Sequence, residues 1–485
     1  MIFKGTSTTG NWGVWHRTLS NPIDNYLNLN LTNPVASFSN NWGTSAPTDT
    51  DFPAGYANGS GDTYVAYLFA HDAGGFGDDG EQNVISCGSY TGNGTVGRTV
   101  DFGFEPQWVL FKRTDSADDW YLFDSMRELT TDISARLSPN TSDEEGRAFY
   151  YIPPNATGIT FNSSGGGALN TSGASYIYIA IRRGPMKTPE SGTEVFAPSI
   201  ATQNYGAVVP SGFPVDMYLT ATRTANPAGY GIEAKDRLRG KNFLATSKTD
   251  VEGDSGLFAF DRSDGVTPTR FSDSPITLMF RRAPGFFDVV CYTGNSTART
   301  LTHNLTVAPE LIILKSRSST RNWVVYPNSP SQYLYLNASD QSNAADANWW
   351  NSTAPTSSVF SIGAGFQGNE AGAAYVAYLF ASCPGVSKVG SYTGTAATLQ
   401  IDCGFTTGAR FVLIKRTDDT GDWYVWDSAR GIVSGNDPYL LLNDTAAENT
   451  STDYIDPLAS GFTVTSSAPA ALNASGGSYI FLAIA

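Results

Sequence analysis

Residues 109–127 read VLFKRTDSADDWYLFDSMR, and residues 412–430 read VLIKRTDDTGDWYVWDSAR. Twelve of these nineteen positions are identical, at a constant offset of 303. The duplication points to a repeat architecture, so other markers with a period must exist. YTG occurs at Tyr90, Tyr292 and Tyr392, which sets a unit of about 100 residues. A lysine followed eight positions later by tryptophan occurs as Lys4/Trp12, Lys112/Trp120, Lys315/Trp323 and Lys415/Trp423. An apolar run closes each unit: YVAYLFA from 64, YIYIAIRRG from 176, YVAYLFA from 375 and YIFLAIA from 479. Between 195 and 285, DMYLTATRTANPAGYGIEAKDRLRG fits the same frame, with Tyr230 in the tryptophan place and ITLMFRRAPG from Ile276 as the closing run.

Five units follow: 1–71, 84–184, 195–285, 288–381 and 386–485. We call them repeats 1 to 5. Repeats 2 and 5 share the opening stretch and a closing one, ALNTSGASYIYIAI against ALNASGGSYIFLAI, identical at ten of fourteen positions. Repeats 1 and 4 share YVAYLFA, and YLNLN answers YLYLN. Repeat 3 stands alone, so the order is A-B-C-A-B. Later LFK-type strands follow about twenty residues of their own repeat, whereas repeat 1 begins at MIFKG. The expectation is that Met1 is an internal residue of a longer polypeptide, or that another chain supplies the first strands.

The class is all-β. Charged residues make up 15% and aromatics 13%, and Gly, Ser, Thr and Asn are abundant, a mix that favours short strands and turns. Repeat 2 offers strands at 84–91, 96–102, 107–113, 119–124, 147–152, 158–162 and 175–182. LIIL at 311–314 and YVAYLFA are apolar at both parities, which predicts central strands covered on both faces. Seven or so short strands per unit predict a β-sandwich of jelly-roll type. Short proline-containing links predict a stiff chain of beads or an arc, and the three-unit period also permits a ring. A net charge of −15 repels phosphate backbones, so no nucleic-acid partner is expected. No apolar run approaches a membrane span, so no membrane insertion is expected. The four cysteines include no CxxC pair and read as buried free thiols.

Several residues are candidates for function. Trp12, Trp120, Trp323 and Trp423, with Tyr230, are either ligand-stacking aromatics for sugar rings or core. An aromatic kept at strand spacing in every unit favours core. Asp124/Arg127, Asp236/Arg239 and Asp427/Arg430 read as local ion pairs that close the turn after the strand, worth little energy when exposed. Arg182, Arg183, Arg281 and Arg282 follow closing strands and suit contacts between repeats or chains. Acidic clusters such as Asp115/Asp118/Asp119 and Asp418/Asp419/Asp422 read as solvated loops. No cofactor is expected, and a structural Ca²⁺ is the one ion such loops leave open. They recur across units, which argues against one differentiated catalytic pocket and against an enzyme.

YTGNGTVGRTVDFGFEPQWVLFKRTDSADDWYLFDSMR, TSGASYIYIAIRRG, FRRAPGFFDVVCYTG and ASGGSYIFLAIA resemble repeats of large structural proteins of marine tailed bacteriophages, cyanophages in particular. The resemblance spans the chain. It implies a tail fibre or other virion appendage at the particle surface, with other virion chains as partners and a homo-oligomeric assembly. It carries no catalytic residues. The expected function is attachment to host-surface glycan, or decoration of the particle, through many weak contacts. A secreted bacterial adhesin or surface filament is the alternative, and a polysaccharide-cleaving enzyme ranks third.

Overall fold

The strand Ala374–Phe380 faces two hydrophobic cores, which is why YVAYLFA is apolar at both parities. Tyr375, Ala377 and Leu379 point to one core, while Val376, Tyr378 and Phe380 point to another. Successive side chains of a strand alternate faces, so a sheet buried on both sides needs an unbroken apolar run. A computed structural model describes the chain except residues 56, 147–149, 163–167, 202–206, 225–230, 257 and 269–273. Among the described residues every strand pair is antiparallel, and the three α-helices have four residues each.

The chain forms two compact units, Met1–Met186 and Lys187–Ala485. In the second unit, repeat 4 orders its main sheet as Phe287–Thr293, Ala374–Phe380, Leu311–Ser316, Val324–Tyr326, Gln332–Tyr335 and Asn343–Ala344. The closing strand thus lies between the opening strand and the lysine-bearing strand. A two-stranded sheet, Arg299–Thr302 with Val359–Ile362, sets Phe360 and Ile362 into the outer core with Ile312 and Leu314. Repeat 5 repeats the plan with Ser387–Thr393, Ser478–Ile484, Phe411–Arg416, Trp423–Asp427 and Leu440–Leu441. Repeat 3 does so with Phe196–Ile200, Ile276–Phe280, Met217–Ala221, Glu233–Asp236, Asn242–Ala245 and Gly253–Asp254.

The inner faces of these three sheets share one core. Leu278 and Phe280 of repeat 3, Val376 and Phe380 of repeat 4, and Phe411 and Ile484 of repeat 5 all belong to it. The Phe280 ring lies 6.1 Å from Phe380 and 6.0 Å from Phe411. The beads expected from the short links are therefore corrected for this unit. Its repeats are three walls of one interior, because each sheet has a second apolar face that its own residues do not cover.

The first unit holds repeats 1 and 2. Repeat 2 pairs Ile85–Thr91, Ser175–Arg182, Pro106–Arg113 and Trp120–Asp124, close to the expected strands. The expected strand at 147–152 is not found over 150–152, and a short strand, Pro154–Asn155, follows instead. Repeat 1 contributes Asn25–Asn28, Gly13–Val14, Ile2–Gly5 and Tyr64–Tyr67. Ile2, Val14 and Leu27 share a core with Leu110, Trp120, Ile177 and Ile179 of repeat 2.

The YTG marker has a structural cause. Tyr90, Tyr292 and Tyr392 donate their hydroxyls to Leu169, Gly368 and Leu472 carbonyls at 2.8, 2.6 and 2.7 Å. Their rings stack on Tyr176, Tyr375 and Tyr479 at 4.9, 5.1 and 4.8 Å. A Cβ on Gly92 or Gly294 would lie 2.2 or 2.1 Å from a backbone oxygen of the loop before the closing strand, so only glycine lets the two segments meet.

Candidate functional site: a lysine–tryptophan clasp between repeats

Lysine and tryptophan eight residues apart sit on the two arms of a hairpin. Lys112 lies opposite Trp120, and Lys415 opposite Trp423, in the antiparallel register, so the side chains leave the sheet together. An asparagine fixes the tryptophan backbone. Asn30, Asn140, Asn337 and Asn443 accept the N–H of Trp12, Trp120, Trp323 and Trp423 at 2.8, 2.8, 2.8 and 2.9 Å.

Three of these pairs grip the preceding repeat. The Trp120 indole donates to the Asn28 carbonyl at 2.9 Å, Trp323 to Ala245 at 3.0 Å and Trp423 to Tyr335 at 2.9 Å. Lys112 Nζ donates to Thr32 at 2.9 Å, Lys315 to Thr249 at 3.2 Å and Lys415 to Ser339 at 3.0 Å, each carbonyl four residues past the one the indole takes. The three tryptophans and three lysines are buried. An indole supplies a large apolar body with one donor, and an ammonium supplies three, which suits a strand end whose carbonyls have lost their water. Within the second unit the contacts close into a cycle. Thr246 Oγ1 of repeat 3 donates to the Leu442 carbonyl of repeat 5 at 2.6 Å, and Arg223 Nε meets Glu448 Oε2 at 2.9 Å.

Trp120, Trp323 and Trp423 are thus buried at the seams between repeats. Trp12 is half-buried, and Tyr230 lies outside the described residues. Sequence reasoning used the lysine as a landmark and gave it no role. The signal was its fixed distance from the tryptophan.

Burial pushes the pKa of Lys112, Lys315 and Lys415 down to about 8, although carboxylates nearby, Asp118, Asp250 and Asp422 among them, oppose the shift. The unfolded lysine titrates near about 10.4. Between these values the unfolded chain binds more protons, so stability rises with pH. The expected result is a denaturant midpoint that climbs from about pH 8 to 10, by on the order of 2 kcal/mol per lysine. Lys415→Met flattens part of the climb. Above about pH 10, buried tyrosines such as Tyr424, held above the ordinary phenol value chiefly by burial, reverse the trend.

Arg182 and Arg183 meet residues of their own repeat, and Arg282 joins two repeats. Arg182 lies over the Phe104 ring at 5.9 Å, and Arg183 lies 3.5 Å from Glu105. The Arg281 N–H donates to the Val195 carbonyl at 2.8 Å. Arg282 is buried, with Nε donating to Asp288 Oδ1 at 2.6 Å, and so ties the end of repeat 3 to the start of repeat 4. The Asp-x-x-Arg residues form the expected local ion pairs, and the pairs differ in burial. Asp236/Arg239 and Asp427/Arg430 are wholly buried pairs with Nε to Oδ2 distances of 2.5 Å, while Asp124/Arg127 stays partly exposed. Tyr378 of repeat 4 covers the first pair, its hydroxyl donating to Asp236 Oδ2 and accepting from Arg239 at 2.8 Å each, and Glu448, the partner of Arg223 in repeat 3, lies 3.8 Å from Arg430.

The acidic clusters are internally bonded. Asp115 pairs with Arg113 at 3.0 Å, Asp118 accepts the Tyr121 hydroxyl at 2.7 Å and Asp119 accepts Asn140 at 2.7 Å. Among the described residues no group of three or more His, Cys, Asp or Glu side chains could hold a metal. A cleft of about 190 Å³ lies between repeats 4 and 5, with Glu310, Pro327 and Asn328 on one wall and Leu413, Trp423 and Leu482 on the other. Glu310 is its one ionisable group among the described lining residues, and Glu310 Oε2 accepts the Ser382 N–H at 2.7 Å. Glycoside hydrolysis ordinarily uses two carboxyl groups.

These features define an all-β protein whose sequence repeats are joined by buried side-chain clasps. The chain belongs to the family described as a domain of unknown function, DUF7483, whose model matches residues 1–185 and 280–485. The stretch between the matched parts holds most of repeat 3, the repeat without a sequence partner. No curated protein matches the chain.

Proposed function

We propose that this chain is a non-enzymatic structural protein of a phage virion. In this reading it forms part of a tail fibre or particle appendage, assembles with other copies and virion chains, and meets host-surface glycan or decorates the particle. The observation that carries the reading is the clasp. Its polar side chains are spent on holding repeats together, which suits a stiff scaffold that bears load. The resemblance of the repeat motifs to phage structural proteins supports a place in the virion. Many similar surfaces on a stiff support favour weak, multivalent contact over one deep site.

The test is to purify particles from the native source, identify their proteins by peptide mass spectrometry and label intact particles with antibody to residues 187–485. Peptides of this chain in fixed ratio to the particle, with label on an appendage, are the expected result. Peptides confined to a particle-free secreted fraction, on filaments that fall apart when Ca²⁺ is chelated, would replace it with the adhesin reading.

A further inference from the structure

The same seven residues, YVAYLFA, occupy the same place in repeats 1 and 4 and have different surroundings. In repeat 4, Tyr378 and Leu379 are 2% and 0% exposed; their counterparts Tyr67 and Leu68 are 47% and 56% exposed. The cause is a missing neighbour. Ala374–Phe380 pairs with Phe287–Thr293 on one side and Leu311–Ser316 on the other. Among the described residues Tyr64–Tyr67 pairs only with Ile2–Gly5. An apolar strand with one open edge is a template for another strand.

The clasp of repeat 1 is open on the same repeat. Lys4 Nζ donates to the Gly10 carbonyl at 2.7 Å, the local bond that Lys112 and Lys415 make to Asp118 and Gly421. The second bond, to a carbonyl of another repeat, has no counterpart at Lys4 among the described residues. Nor does the Trp12 indole N–H have an acceptor among them, while its ring stacks on exposed Tyr67 at 6.2 Å. Edge, lysine and indole are three parts of one interface, and repeat 4 shows all three filled.

We propose that this face of repeat 1 docks a further segment of the 187–311 type: a type C repeat followed by the opening strands of a type A repeat. The register fixes the occupant. Filling the edge needs a strand like Phe287–Thr293, and filling the clasp needs carbonyls like those of Ala245 and Thr249. Within this chain one continuous segment, 187–311, supplies both to a type A repeat. A second copy of the chain does not fit, because its Ala245 and Thr249 carbonyls are already held by Trp323 and Lys315. The proposal is independent of where the protein resides.

The test compares the chain with a version carrying a duplicate of residues 187–311 ahead of Met1. Amide hydrogen exchange is read over Tyr64–Phe69, and acrylamide quenching reports on Trp12 against a Trp12→Phe control. Exchange slowed by about 100-fold or more, with Trp12 shielded, is the expected result. Lys4→Met in the extended chain weakens that protection. Unchanged exchange in a folded extended chain would overturn the proposal. So would failure of the added segment to fold, since a docked segment must. Concentration-dependent dimerisation of the original chain that protects the same amides would show that a second copy is the occupant.

Discussion

Asp427→Ala lowers the stability of the 187–485 unit by about 3–5 kcal/mol, because it leaves a buried guanidinium without its carboxylate. Both side chains are wholly buried. Asp427 Oδ1 also accepts the backbone N–H groups of Ala429 and Arg430 at 3.0 Å each, so the substitution removes a turn cap as well. Arg430 keeps its bond to the Val425 carbonyl at 2.9 Å and a carboxylate at 3.8 Å, Glu448, which moderates the loss toward the lower figure. Asp124→Ala in the first unit removes the same motif from a partly exposed site and costs about 1 kcal/mol, most of it the cap. Replacing Asp427 and Arg430 together by apolar residues costs less than either single change, since the desolvation penalty leaves with the pair. Denaturant midpoints of the four proteins check this. Equal losses at Asp124 and Asp427 would mean that burial is not what gives the motif its strength.

Trp423→Ala costs about 3–5 kcal/mol and uncouples repeat 5 from repeat 4. The indole is buried in the core shared by three sheets, so truncation opens a cavity and frees the Tyr335 carbonyl bond. Trp423→Phe keeps most of the apolar contact and loses the N–H, at about 1 kcal/mol or slightly more. Trp12→Ala, at a half-buried site whose indole N–H has no acceptor among the described residues, costs under about 1 kcal/mol. Chemical denaturation gives the three values, and near-ultraviolet circular dichroism reports whether the shared core loosens. A Trp12 loss as large as that of Trp423 would sink the view that the neighbouring repeat gives the clasp its energy.

Much of the fold was legible because it is written in local periods. The unbroken apolar run at 375–381 signals a strand covered twice, and the structure has two cores there. Ile85–Thr91, Pro106–Arg113, Trp120–Asp124 and Ser175–Arg182 fall within a residue or so of the expected bounds. What covers the inner face was not legible. Phe280, Phe380 and Phe411 are about a hundred and thirty residues apart from first to last, and no local pattern says that they meet. The same limit governs the ion pairs. Asp124/Arg127 and Asp427/Arg430 share nearly one sequence, yet one is partly exposed and the other dry. Their difference lies in the neighbours.

The cycle of contacts from repeat 3 to 4, 4 to 5 and 5 back to 3 has a mechanical meaning. A linear stack can shed its last member by opening one joint, and so frays from its ends. A cycle has no last member. To release any one of the three, two joints must open while a third of the common interior floods. Ala485 lies against Gly192, where an added Cβ would fall 1.9 Å from the Ala485 oxygen, so the beginning and end of the unit are sealed against each other. A pull on those two points meets the whole perimeter at once, and the unit holds or yields as a single body.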